Sequence, residues 1–564
     1  MIPMTRVHVS PAEDWDLFYR INLNLEVLGS DTILYVAAWR PGRYEESNYA
    51  KNIRNLRVFD SNGDAVFVSR NDKNSWKIVH HTSGVLQVQY DYYAAELNAG
   101  SSYAGKELLY INPVNCILFS DHTEHSPFHL TYEKLQGMQF AGDRSFLKTE
   151  SDTSLYFVFP DYDTLADTPF YCSRQLIRLS YESGGCLFTL YFTGIASIPD
   201  SSEMIEHFSA FTAGCLQVFE SIPVKNFAFL FIHPEEFCYH GVEHLRSTVI
   251  VLGPGKNVFE RANYLELLGI ACHELFHVWN IKTIRPKPML PYNLRKPVFC
   301  DAGLVYEGIT TFYGDWLLFR AGVFDSVDYL HRLSAQFKKH LDNPGRHYHS
   351  ITESSLDTWI DGYIQGTPGR KVSIYTEGCL LAFIADRMIR EKSSGCRSLD
   401  DLMRVLYKQF GEKGIGYDLS DYMKLLEEMT GVELKDFFKK YIYSPSSLTA
   451  PFEEALKNVC WSIQYDAADL AFVAVSGCQL MPDKNAWLVT ALAHDSPAVR
   501  AGIKKGDRIF FNLSGRLPYE LSSDEFAGKE SLSFTLRAGG VERHVEIKAD
   551  LPLYFKKPTI VEIS

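Results

Sequence analysis

Two histidines four residues apart, His273 and His277, stand in the run GIACHELFHVWNIKTIRP (269–286), with Glu274 beside the first. A helix turns by ~100° per residue, so positions i and i+4 share a face. Both imidazoles can then reach one ion, and Glu274 lies near any water on that ion. A catalytic zinc site needs a third protein ligand and one open position. The stretch LVYEGITTFYGDWLLF offers Glu307. On a helix, Glu307, Thr311, Gly314 and Asp315 form a small, polar face opposite Ile309, Phe312, Trp316 and Leu317. The rival third ligand, a histidine in an H-E-x-x-H-x-x-G-x-x-H run, is excluded because Thr283 holds that position.

The elements around this helix change period along the chain. Segments such as LFYRINLNLEVL, DTILYVAAW, AVFVSR and VLQVQYDYYAA alternate like strands between Asn-Gly and Ser-Gly turns, which predicts a sandwich-like β module. Further strands are expected in 151–195, then a helix near 202–221 and the strand KNFAFLFIH. From about 259 to 445 the period is helical. SPSSLTAPF (444–452) reads as a linker, and the tail returns to strands. The predicted fold is multidomain α+β: residues 1–160 β-rich, 161–450 catalytic with a mostly helical second half, and 451–564 a C-terminal module.

These blocks carry a resemblance. H-E-L-F-H-V-W-N-I-K-T-I-R-P followed by E-G-I-T-T-F-Y-G-D is similar to the glycyl aminopeptidase family of PDZ-containing zinc peptidases, metallopeptidase family sixty-one of the gluzincin clan. AAWRPGRYEESNYAKNIRNL and SWKIVHHTSGVLQVQYDYYA resemble its N-terminal β domain. FPDYDTLADTP, YHGVEH, NPGRHYHSITESSLDTWI and IYTEGCLLAFIADRMIR resemble its peptidase region. The resemblance implies a thermolysin-like catalytic domain. His273, His277 and Glu307 would hold one zinc per chain, and Glu274 would be the general base. Tyr375 matches the tyrosine that stabilises the oxyanion in related aminopeptidases. Glu243, in a Gly-containing loop entering a strand, would pair with the substrate's free amino end, and Gly241 would let a peptide backbone come close.

Three positions depart from the family pattern: Tyr306 before Glu307, Glu377 after the tyrosine block, and His240 before Gly241. Each would alter the surroundings of the site rather than remove a catalytic group. Lys282 and Arg285 are read as compensating the carbonyls at the end of the zinc helix. His347 and His349 are read as loop residues without a third ligand nearby. WLVTALAHDSPAVRAGIKKGDRIFFNLSG resembles the core of a PDZ domain, a fold that takes peptide C-termini by strand addition, with its carboxylate loop expected near VSGCQL (475–480).

A formal charge of -13 argues against nucleic-acid or anionic-membrane partners, which need basic patches. No run reaches the ~18 apolar residues of a membrane span. Eleven scattered cysteines without a C-x-x-C pair read as reduced thiols, and a start without a signal region makes a cytoplasmic home the expectation, with a trimmed secreted or periplasmic protein as the alternative. The resemblance implies a zinc aminopeptidase releasing small N-terminal residues; the alternatives are a zinc endopeptidase or a PDZ peptide-binding adaptor on an inactive peptidase scaffold.

Overall fold

Phe18–Val27 buries every second side chain, the mark of a strand with one face on a core. In the computed structural model it sits inside a seven-stranded sheet between Thr5–Pro11 and Gly84–Tyr93. Two four-stranded sheets complete the β-rich N-terminal region. The structure describes residues 4–563 apart from 13–16, 28–30, 81–82, 365, 368, 469–470, 485, 511–530 and 549–552.

Residues 36–48 leave the strand Asp31–Tyr35 without joining another sheet. Trp39 buries its ring edge-on to Trp359, and its indole N–H donates to the carbonyl of Asn293 at 2.8 Å. The Ala38 amide donates to the carbonyl of Leu294 at 2.7 Å. This loop is therefore fastened to the region that follows.

That region opens with a mixed five-stranded sheet in the order Ile177–Ser183, Cys186–Thr193, Asn226–Ile232, Ser247–Gly253, Cys238–Glu243. The helix Ser201–Phe219 makes the crossover between the parallel strands Cys186–Thr193 and Asn226–Ile232. The last strand, Cys238–Glu243, is an edge, antiparallel to Ser247–Gly253. The sequence reading made this segment a loop entering a strand. Gly241 has low strand propensity, and the wholly buried partner strand overrides it.

The helix Arg261–Phe276 buries six consecutive residues, Leu267 to Cys272, so it runs through the interior. Thr310–Arg320 packs beside it, with Gly314 facing His273 and Tyr313 stacked on Phe276 at 4.4 Å. Leu304–Ile309, expected as ordinary helix, is a π-helical turn. It lies against Ile374–Lys392, where Gly308 and Gly378 bring the two backbones into contact.

SPSSLTAPF is not a linker: the helix Thr449–Lys457 starts inside it, and Phe452 stacks on Phe337 at 4.8 Å in the helical core. The C-terminal strand Lys557–Glu562, paired with Trp461–Asp466, joins the same core. A second apolar cluster joins Val489, Ile509, Phe534 and Ile547 of a separate five-stranded sheet to Phe472 of the helix Ala471–Ser476. Among the described residues no helix is long and apolar enough to cross a membrane. All eleven cysteines are free thiols.

Alanine at position 378 tests the Gly308–Gly378 contact. Helix propensity alone favours Ala over Gly by about 1 kcal/mol. The added Cβ would overlap the backbone at Gly308, where no side chain can swing away. We expect Gly378→Ala to lower the thermal midpoint by several degrees, at a cost of ~1–3 kcal/mol. An unchanged or raised midpoint would show that the contact is slack.

Candidate metal centre and peptidase cleft

His273 and His277 project from the last turn of the Arg261–Phe276 helix, His277 at its C-cap. Their Nε2 atoms stand 3.1 Å apart. His277 Nδ1 lies 2.9 Å from the carbonyl of Asn280, so that nitrogen carries the proton and Nε2 presents its lone pair. Asn280 also donates to the carbonyl of Val305 at 2.8 Å and to Thr310 Oγ1 at 2.9 Å. It thereby ties the turn after the helix to the segment carrying Glu307.

Glu307 Oε2 lies 3.4 Å from His277 Nε2 and 3.7 Å from His273 Nε2, and it has no hydrogen-bond partner. One ligand atom from each of these three residues lies within 4.8 Å of the others. Two imidazole lone pairs and a buried carboxylate oxygen aimed at one point need a shared cation. Two nitrogens and one oxygen match the donor set of a catalytic zinc site, so the residues present fit that ion. In the metal-free chain, burial pushes Glu307 up, but His277 and His273 outweigh it and hold its carboxyl at about 2. Burial pushes His277 down, and Glu307 reverses this to raise it to about 10.

Glu243, Glu274 and His277 form a second convergent group within 4.8 Å. Both carboxylates are buried, and each has one oxygen without a partner, Glu243 Oε1 and Glu274 Oε2. Burial raises the Glu274 carboxyl well above the ordinary range, and Glu243 and Glu307 add to the rise against His277. Two carboxylates and one imidazole are a poorer zinc set than two imidazoles and one carboxylate. Gly241 has a specific reason to be glycine: a Cβ there would overlap the Glu274 carboxylate.

Tyr375 sits in the first turn of Ile374–Lys392, which Ser373 caps by accepting from the Thr376 amide. Its hydroxyl is 3.2 Å from that of Tyr363. Burial, reinforced by Glu307, raises its pKa well above 10, so it remains a proton donor at neutral pH. Gly241, His273, Glu274, Thr311, Tyr363 and Tyr375 line one cleft of about 560 Å³.

The positions that depart from the family pattern find other employment. Tyr306 is buried, with its ring 5.0 Å from that of Tyr44. Glu377 turns away from the cleft and accepts from Nδ1 of the buried His340 at 2.8 Å, while His340 Nε2 accepts from the Leu448 amide. Burial and the charge of Arg40 hold His240 down at about 3. Its neutral Nε2 accepts from the Arg40 guanidinium at 3.3 Å. His349 lies 3.4 Å from Asp357, and neither it nor His347 belongs to a metal-capable group among the described residues.

Lys282 does not serve the helix end. It is buried with its Nζ 2.7 Å from Asp167, which also faces His244 Nδ1 at 3.0 Å. Arg285 does donate to the carbonyls of Ile281 and Lys282. Spacing alone did not single out Asp167, Asn280 or Tyr44. Their signal was membership of the blocks FPDYDTLADTP, HVWN and WRPGRY.

Two family models match the chain. One, described as M61 glycyl aminopeptidase, covers residues 266–381. The other, the M61 N-terminal domain, covers residues 6–174. The chain belongs to the M61 glycyl aminopeptidase family, a family of peptidases. No curated protein matches it. Among solved structures, an aminopeptidase N family protein from Idiomarina loihiensis is 23% identical with a TM-score of 0.89, over 100% of this chain and 98% of that one. The fold described above is thus shared along the whole chain. An M1 zinc metallopeptidase from Deinococcus radiodurans is 12% identical with a TM-score of 0.48, over 79% of this chain and 94% of that one.

The Asp167–Lys282 pair carries a pH-dependent share of stability. Burial raises Asp167, but Lys282 and His244 more than reverse this, so its folded value lies below its ordinary one. That contribution is complete above the unfolded pKa of ~4 and fades as pH falls towards the folded value. Burial lowers Lys282, and Asp167 raises it above its ordinary value, so its share is lost only in strong alkali. We expect Asp167→Asn to cost about 2–3 kcal/mol at pH 7 in urea unfolding, since it strands a buried ammonium. The gap between variant and wild type should narrow below about pH 4. A gap independent of acid pH would contradict the pair's role.

Proposed function

We propose that the chain is a zinc-dependent aminopeptidase releasing N-terminal residues, small ones such as glycine and alanine, from peptides. The observation that carries this reading is the convergence of three buried carboxylates on two histidines, with separate work for each. Glu307 and the imidazoles of His273 and His277 would hold the ion. Held there, zinc would supply Lewis acidity, making a water nucleophilic near neutral pH and polarising the scissile carbonyl. Glu274 takes the proton of the attacking water on its unpartnered oxygen and returns it to the leaving nitrogen. Tyr375 donates its O–H to the carbonyl oxygen as charge builds there.

Glu243 separates the aminopeptidase reading from the endopeptidase one. A buried carboxylate beside Glu274, with an oxygen lacking any partner, is costly unless a cation joins it. A substrate's ammonium is such a cation, and an internal peptide segment offers none. The edge strand Cys238–Glu243 gives an extended peptide a ladder to pair with, ending at that carboxylate. The glycyl preference rests on the family description.

For the C-terminal module the finer reading is a PDZ domain. Ser496 accepts from the Val499 amide and caps the short helix Pro497–Arg500, while Gly502 follows at φ +72°. Cys478–Asp483, on the expected carboxylate-loop side, is an edge strand of the five-stranded sheet. Residues 511–530 lie outside the described residues.

Free and N-acetylated forms of one Gly- or Ala-initiated peptide test the substrate class. The free form should be cleaved and the blocked form left intact, and equal cleavage would support an endopeptidase. Glu274→Gln should keep its zinc, measured by metal analysis, and lose ~10²–10⁴-fold in kcat. Unchanged cleavage by Glu274→Gln would remove it as the base.

A further inference from the structure

We propose that the loop Arg40–Glu46 of the β-rich region is part of the peptidase site, with Tyr44 positioning Glu307 and Gly42 setting the place of Glu243. This rests on the reading of Glu307 as a metal ligand and Glu243 as the amine anchor. It adds residues from outside the peptidase region, which otherwise supplies every group in the site.

Tyr44 is 1% exposed, and its hydroxyl donates to Glu307 Oε1 at 3.0 Å. That bond occupies one carboxylate oxygen and leaves Oε2 as the one turned to the two imidazoles. A carboxylate on a π-helical turn can rotate about its side-chain torsions, and a fixed phenol removes that choice. The phenol is itself fixed by its ring contact with Tyr306.

Two residues earlier, Gly42 adopts φ +81°, a conformation that disfavours any side chain. A Cβ there would overlap the Glu243 carboxylate. The bare backbone of this loop is therefore the wall against which the Glu243 head rests. The loop is held where it begins, and at its end the Ser47 amide donates to the Ala38 carbonyl at 2.9 Å. Ala38 and Trp39 bond to the 293–294 backbone, and Arg40 bonds to His240, three residues before Glu243.

A loop that merely filled space would affect zinc and substrate together, or neither. Direct positioning separates the two effects, one residue for each carboxylate. In the full chain, zinc affinity is measured by competition with a chelator. The kcat and KM for a free-amine tripeptide are then read at saturating zinc. We expect Tyr44→Phe to weaken zinc by ~10–100-fold, while the thermal midpoint of the zinc-free protein stays near wild type. Gly42→Ala should keep wild-type zinc affinity and kcat within about threefold and raise KM about tenfold, a loss of roughly the size of one charge-assisted contact. Gly42→Asn, which tolerates positive φ better, covers the case in which the alanine variant does not fold. Unchanged zinc affinity in Tyr44→Phe, or parallel losses of zinc and KM in both variants, overturns the proposal alone. A wild-type chain that binds no zinc overturns the underlying metal reading and this proposal with it.

Discussion

Glu307 is a carboxylate with 2% of its surface exposed, one oxygen held by a phenol and the other facing two imidazoles. An anion so placed is stable only if cations or donors meet it from every side. The architecture can be understood as the means of bringing them there. The Arg261–Phe276 helix brings the histidines, Asn280 fixes the tautomer of one, and the β-rich region reaches across with Tyr44. The π-helical turn is the local consequence, since an extra residue in the turn changes where the Glu307 side chain leaves the backbone.

Crowding charged groups into one interior leaves little room for ordinary side chains, and glycine recurs wherever they approach backbone. Gly42 lies against Glu243, Gly241 against Glu274, and Gly314 against His273. Gly308 and Gly378 let the Glu307 and Tyr375 segments touch. These glycines come from four separate parts of the chain, so the site is a junction of elements rather than a motif on one of them. The Asp167–Lys282–His244 cluster belongs to the same junction, joining the segment before the five-stranded sheet to the end of its edge strand and to the turn after the Arg261–Phe276 helix.

What could be read in the sequence was what local geometry determines. The i, i+4 relation of His273 and His277 needs only a helix, and the apolar run around them supplies one. Glu307 stood out because small, polar neighbours mark one face of its segment, although that spacing does not encode the π-turn it sits on. Cys238–Glu243 was misread as a loop because Gly241 interrupts it, and the partner strand that holds it lies further on. Phe452 was lost inside a Ser- and Pro-rich stretch that looked like a linker but packs on Phe337. Tyr44 stands in the block WRPGRY, far in sequence from the helix carrying the histidines, and only the fold brings its hydroxyl to Glu307. Glu377 shows the converse: its nearness in sequence to Tyr375 suggested a charge in the cleft, while the helix turns it towards His340.

The central claim is that one buried centre both holds the ion and measures the substrate from its free amino end. A crystal of Glu274→Gln soaked with zinc and a short peptide, with anomalous scattering at the zinc edge, tests both halves together. The expected result is one zinc at about 2.0–2.2 Å from His273, His277 and Glu307, and the peptide's ammonium in hydrogen-bond contact with Glu243. Zinc held elsewhere with Glu307 turned away, or a peptide running past Glu243 without ending there, would contradict it.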